Sequence, residues 1–422
     1  MSCRQAVAGP VGERFWLSLL SKWGVYPILC CGARCEIHLF CVPRHKDCPG
    51  GSQMFGSRRR LVPCLAILGV AAGMSVSPAT QADGDHDVLL FPSVDALEVF
   101  DQSPADIMDS HLRASADVLY TYSGDRFRFL GEYLLSTDES ELERLQLGWA
   151  LSDRTMLWFG RFHSPASFWI SEFHHGQYLQ TSITRPSLEQ WEDNSGAAPS
   201  HITGLNFQTD LELGSEALLS LSVGAGLAPK FDDDELVAFD MLDPRSGHGL
   251  SLSMRANYRP EMFAPLQFGV VSSWNEINVV PGSNPELADL DRINQLTAGV
   301  FADAQWKDWR LIASAVYHNN ELRYVDGNVT DDYVLTYLQP EYSVTDDVII
   351  FGRVDIGDGE DDSTYLHLLP AFLAHRNMLG LRWDFAPYQS LTFEFADSSR
   401  QGEDSDHEHF KEVRVQWSAA LP

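Results

Sequence analysis

The chain is expected to fold as an all-β, transmembrane antiparallel β-barrel of sixteen strands, with fourteen as the alternative, because three patterns coincide. Apolar and polar residues alternate with period two over segments of about ten residues, the length that crosses a bilayer as a tilted strand. Tryptophans (149, 158, 274, 306, 309, 383 and 417) gather near the ends of those segments, where an interfacial girdle would lie. Connections alternate between short and long, as turns on one side of a membrane and loops on the other would. A sheet in lipid must also close, since an open edge leaves backbone N–H and C=O groups without partners.

The amino-terminal region stands apart from this pattern. All seven cysteines (Cys3, Cys30, Cys31, Cys35, Cys41, Cys48 and Cys64) fall in the first 64 residues. The long remainder has none, as is common in proteins that cross an oxidising compartment. After Met54 come Arg58, Arg59 and Arg60, an apolar run over 61–76, and small residues up to Ala82. A basic stretch, an apolar core and a small-x-small site make residues 54–82 a secretory signal peptide. As a membrane anchor the run is too short and too rich in glycine and serine. Residues 1–53 are expected to be upstream sequence read from an early start codon, and 83–422 to form the barrel. The net charge is −29, and the lysines after residue 82 are Lys230, Lys307 and Lys411. So acidic a surface repels nucleic acid and attracts cations.

Period two then carries the strands in order. In "RFRFLGEYLL", Phe127, Phe129, Tyr133 and Leu135 oppose Arg126, Arg128 and Glu132; in "LERLQLGWAL", Leu145, Leu147 and Trp149 oppose Arg144 and Gln146. "LGLRWDF", "LTFEF" and "VRVQW" repeat the alternation, with Arg382, Asp384, Glu394, Arg414 and Gln416 on the polar side. Fifteen segments follow: 111–121, 126–136, 141–150, 155–162, 200–212, 215–226, 247–258, 265–275, 293–306, 309–318, 331–342, 347–355, 376–385, 389–397 and 410–420. Short connections (151–155, 213–215, 259–264, 307–308, 343–347 and 386–390) alternate with long ones (163–200, 228–246, 277–290, 319–330, 355–375 and 398–409). With both chain ends on the turn side, parity requires one more strand before the first, within "VDALEVFD" (94–101). The 163–200 connection is then the third external loop.

Sixteen strands, a signal peptide and so long a third loop resemble the Gram-negative porins. "LWFGRFHSPASFW", followed by the Arg185-Pro186 step, is similar to the strand-to-loop passage of the phosphate-selective porin group. The resemblance implies an outer-membrane channel for passive diffusion of small hydrophilic solutes and ions, a third loop folded into the lumen, no cofactor, and a homotrimer. The departures are a scarcity of lysine, where anion-selective members carry lysine clusters, and an "SAALP" ending without the usual terminal phenylalanine. The acidic balance implies cation preference. A substrate-specific channel for a metal ion or carboxylated nutrient is the rival reading, and a structural or adhesive barrel a further one. No recognisable serine-nucleophile motif supports an enzyme.

A third loop inside the lumen would set Glu172, Glu189, Glu192 and Asp193 against wall arginines Arg128, Arg161, Arg353, Arg382 and Arg414, producing a transverse field. Arg185 and Pro186 are expected to fix the loop's shape. His163, His174, His175 and His201 flank the same loop and are expected either to brace it through hydrogen bonds or, as the alternative, to act as metal ligands. The adjacent pair His174–His175, on extended backbone, would point to opposite faces and could not chelate together.

Overall fold

The computed structural model describes residues 84–103, 109–138, 140–173, 177–191, 196–214, 216–232, 235–242, 244, 246–261, 265–280, 287, 289–369, 371–400 and 408–421. The segments read from the sequence as signal peptide (54–82) and upstream extension (1–53) lie outside them.

The chain opens with β1 (Asp85–Ser103), β2 (His111–Ser123), β3 (Phe127–Ser136), β4 (Ser140–Ser152), β5 (Thr155–His163), β6 (His201–Leu213) and β7 (Ala217–Leu227). A short hairpin, β8 (Lys230–Asp232) and β9 (Glu235–Val237), precedes β10 (Leu250–Arg259), β11 (Leu266–Val279), β12 (Leu290–Trp306) and β13 (Trp309–Tyr324). The last strands are β14 (Gly327–Thr345), β15 (Val348–Asp358), β16 (Leu373–Ala386), β17 (Gln389–Arg400) and β18 (Glu408–Ala419). Each long strand pairs antiparallel with the next, β7 with β10 directly, and β1 closes the ring on β18 through pairs such as Ser93↔Ser418 and Leu97↔Arg414. Setting the short hairpin aside, the ring has sixteen strands, and β1 contains the 94–101 segment that parity requires.

Burial is inverted relative to a water-soluble domain. Leu379 is 69% exposed, and Leu147, Phe159, Val223 and Val300 are likewise exposed, while Gln295 and Asn320 are 0% exposed. Apolar side chains therefore face outward to lipid and polar ones inward, which is the arrangement a spanning barrel needs. Inward amides meet across the strands. Ser251 donates to Asn275 (2.6 Å), Asn275 to Gln295 (3.4 Å), Gln295 to Asn320 (3.1 Å) and Asn320 to Asp331 (3.0 Å). These are directly opposed register partners from β10 to β14, so each polar group meets the next at cross-strand spacing. Near the short turns, Trp149, Trp306, Trp309 and Trp383 are exposed, and Trp309 leans on Tyr342 with ring centroids 4.8 Å apart. This forms an aromatic belt at one membrane face.

One expected long loop is absent. Residues 319–330 are mostly strand, and β13 and β14 continue to the two-residue turn Val325-Asp326, with Tyr324 opposite Gly327. The hydrogen-bond ladder outlasts the hydrophobic alternation: Asn319↔Asp332 and Glu321↔Thr330 are paired. Above the lipid the outer face no longer needs apolar residues, so the sequence loses its period while the sheet continues. The β8–β9 hairpin was also not anticipated; β8 adds in parallel to the end of β11.

Inside the loop end of the barrel sits an apolar cluster of Phe231, Leu236, Leu287, Ile293, Leu322 and Phe372 among others, joined by Tyr365 and Leu366 of helix α2 (Thr364–His367). It is built from the fourth, fifth and seventh connections together with the extended ends of β11–β14. Ala197, from the third connection, belongs to it as well.

Candidate functional site

The connection after β5 begins at a backbone constraint. Gly160 adopts φ +130°, and a Cβ there would lie 1.9 Å from the Leu145 carbonyl oxygen. Only glycine suits so close an approach. Beyond β5 the chain forms helix α1 (Phe168–Phe173). The Ser167 hydroxyl accepts from the Ile170 N–H (3.3 Å) and donates to Glu189. Glu189 also accepts the Phe168 and Trp169 N–H groups, so a residue late in the loop caps the helix at its beginning. Burial wins over these hydrogen bonds and holds the Glu189 carboxyl above the usual glutamate range.

The apolar face of α1 packs on inward side chains of β11–β14. Phe168 stacks on Phe301 (4.3 Å, 15°), and Trp169 meets Tyr337 edge-on (5.8 Å) and Phe173 at 4.5 Å. Val271, Ile312 and Val316 complete this cluster. Beside it a cavity of about 30 Å³ remains, lined in part by Ser167, Glu189, Ser273, Thr297 and His318, enough for one water among polar partners.

Residues 177–191 are held differently. Arg382 donates to the carbonyls of Tyr178 (2.8 Å) and Gln180 (2.6 Å), and its guanidinium lies 4.8 Å from the Tyr178 ring. Arg353 donates to the carbonyls of Thr184 (2.7 Å) and Arg185 (2.8 Å), to Thr184 Oγ1 (3.1 Å), and to Asp355 (3.1 Å). Glu394 accepts from the Ile183 N–H and the Thr184 hydroxyl (3.0 Å). Arg185 stacks on Trp191 at 3.7 Å, just before Pro186 at φ −57°.

The sequence set loop carboxylates against wall arginines. In the structure Arg353 and Arg382 instead bind loop carbonyl oxygens, and their charges are met by Asp355 and Asp384 on the same strands. Glu172 lies 3.8 Å from Arg255 and accepts from Gln267 (3.3 Å). Arg414 pairs with Glu412 (3.0 Å), Arg161 with Glu141 and the Glu143 carbonyl, and Arg128 donates to the Gly124 and Phe127 carbonyls beside a short turn. Glu192, Asp193, His174 and His175 lie outside the described residues. Further buried charges include Glu143, Arg376 and Glu394, and of these three the sequence reading had singled out only Glu394, as a polar-face strand residue.

His163 and His201 come together. They are register partners at the end of β5 and the start of β6, with ring centroids 5.2 Å apart. His201 Nε2 lies 3.1 Å from Glu143, and ligand atoms of all three residues lie within 4.8 Å of one another.

No protein-family model and no curated sequence matches the chain. Solved structures with the same fold include the outer-membrane channel DcaP of Acinetobacter baumannii, at TM-score 0.52 and 12% identity, covering 81% of this chain and 99% of that one. The anion-selective porin from Comamonas acidovorans aligns at TM-score 0.53 and 11% identity, covering 80% and 100%. Salmonella typhi OmpF, in complex with daunomycin, aligns at 0.50 and 11%, covering 80% and 97%. At these identities the likeness establishes the fold: a closed sixteen-stranded antiparallel barrel of the outer-membrane porin type.

Proposed function

We propose that the chain is exported to the outer membrane of a Gram-negative bacterium and forms a water-filled channel there. Small hydrophilic solutes would diffuse through it, with a preference for cations. The observation that carries this reading is the sealed ring of sixteen strands with lipid-compatible residues outside and hydrogen-bonded polar residues inside, a geometry wide enough for an aqueous passage. The third loop is the proposed constriction. Its contacts with inward groups on β11–β17 support a path across the lumen, and Glu172 and Glu189, with Glu192 and Asp193, supply its negative charge. Cation preference is further supported by the net charge of −29.

Planar-bilayer recording across a KCl gradient tests this directly. The expected result is stepwise conductance with a reversal potential of the sign for cation permeation, reduced in the combined variant Glu172→Gln, Glu189→Gln, Glu192→Gln, Asp193→Asn. A protein without conductance sinks the channel reading; an unchanged reversal potential in the variant retires the loop as selectivity element.

The apolar cluster at the loop end favours a second reading, a substrate-specific channel. Phe231, Leu236, Leu366 and Phe372 occupy space that a general pore leaves to water. Saturation of conductance by one solute class, such as carboxylated nutrients, would distinguish it from simple diffusion.

A further inference from the structure

The two roots of the third loop carry a cluster that diffusion through a pore does not require. His163 is the last residue of β5 and His201 the first of β6, and they face each other in register. Glu143 reaches them by an irregularity in β4. Glu132 pairs with Arg144 and Tyr133 with Leu142, so Glu143 is an extra residue opposite β3. Such a bulge re-aims a side chain. Strict alternation would put Glu143 on the lipid side with Leu145 and Leu147. Instead Glu143 and Arg144 are both buried, at 2% and 6% exposure.

The surroundings suit a cation. His163 and His201 are 7% and 5% exposed. Trp191 stacks on His201 (5.1 Å, 16°) and lies against His163 (5.5 Å). Ser200 Oγ lies 3.3 Å from His201 Nδ1, orienting the ring so that Nε2 faces Glu143. Glu132 and Glu143 are both buried close enough to Asp117 to repel it, with Arg185 and Arg144 near the same carboxyl and Arg144 paired with Glu132. Three buried carboxylates and the arginines Arg144, Arg161 and Arg185 share this region, and within it the Glu143 carboxylate is the group turned toward the two imidazoles.

We propose that Glu143, His163 and His201 bind a divalent transition-metal ion of the zinc class, which ties the two roots of the third loop together. Two imidazole nitrogens and one carboxylate oxygen form a donor set that zinc and its neighbours accept, with room for a fourth ligand such as water. The register pairing supplies two ligands from the closing pair of the loop and the bulge supplies the third. The ion would act as a clasp: it lowers the freedom of residues 164–200 without touching the solute path.

The test uses the full-length protein refolded in detergent and stripped with a chelator. Zn²⁺ is titrated against a chromophoric competitor. One tight equivalent is expected in the unmodified protein, and the double variant His163→Ala, His201→Ala should bind at least about a hundredfold more weakly, since losing an outer-shell partner alone costs about 10–100-fold. Zinc should also slow proteolytic cleavage within residues 164–200 of the unmodified protein and leave the variant unaffected. Heat-modifiable electrophoretic migration confirms that the variant barrel is closed. If it does not close, Glu143→Gln, which preserves shape and removes the charged ligand, takes its place. Equal zinc affinity in unmodified and variant protein, or the same protease sensitivity with and without zinc, overturns the site.

Discussion

The two halves of the third loop are fastened to the wall by opposite means. Residues 168–173 are held by aromatic and aliphatic packing on β11–β14, with Phe168 on Phe301 and Trp169 on Tyr337. Residues 178–185 are held by guanidinium and carboxylate groups on β15–β17, which bind chiefly backbone carbonyl and N–H groups, with the Thr184 hydroxyl as a side-chain partner of both Arg353 and Glu394. Packing tolerates changes of salt and pH but punishes changes of volume. The charged anchorage tolerates most changes in the loop's side chains, Thr184 excepted, because most of its partners are carbonyls and N–H groups that every residue has, but it depends on each wall charge. One loop therefore has two attachments, and hydrogen bonds at two joints link them: Trp169 Nε1 to Gln180 Oε1 at 3.0 Å, and Glu189 accepting from Ser167 and from the Phe168 and Trp169 N–H groups.

Removing a wall charge should have the largest effect. Arg353→Met abolishes contacts to the Thr184 and Arg185 carbonyls and leaves Asp355, 0% exposed at its side chain, without its guanidinium partner. Breaking a buried pair on one side costs about 3–5 kcal/mol. Urea unfolding in lipid should show this loss, and single-channel conductance should rise as residues 178–185 leave the wall; a stable variant with unaltered conductance would mean that the charges do not hold the loop. Cutting a joint is milder. Trp169→Phe keeps most of the ring packing and deletes the N–H donated to Gln180, a loss of about 1–2 kcal/mol. Because Gln180 stays bound to the Ile183 carbonyl (2.9 Å), conductance should change little. An effect as large as that of Arg353→Met would show that the halves are a single cooperative unit.

How much of this was legible beforehand follows the physics of each contact. Strand positions and the sixteen-strand ring came from lipid, which imposes period two wherever a side chain touches it. Where lipid ends, the signal ends, and so β13 and β14 read as a long loop at 319–330 although their ladder continues through Glu321↔Thr330. Arg353 and Arg382 were visible as polar-face residues, but their partners were not: a backbone carbonyl leaves no mark in sequence. Glu143 was hidden for another reason. Its position is set by a one-residue bulge, which a strict two-residue period does not anticipate. His163 and His201 were named as metal candidates from their place beside the loop, while their pairing required knowing that β5 and β6 meet in that register.

The smallest expected effect concerns the second joint and depends on pH. Burial raises the Glu189 carboxyl above its ordinary value of 4.5, so the folded loop keeps this proton at pH values where the unfolded chain has lost it. Stability from this group is therefore full below the ordinary glutamate value and declines as pH rises through the raised one. The protonated form needs only the Ser167 side of the contact, whereas the ionised form must be compensated by the Phe168 and Trp169 N–H groups and by Arg185. The wall carboxylates titrate too, so the informative quantity is the difference between the unmodified protein and Glu189→Gln, measured by urea unfolding from about pH 4 upward. The unmodified protein should lose stability relative to the variant over that rise. Parallel curves would place the Glu189 charge in contact with water, and a relative gain would show that the helix N–H groups, rather than burial, dominate at the joint.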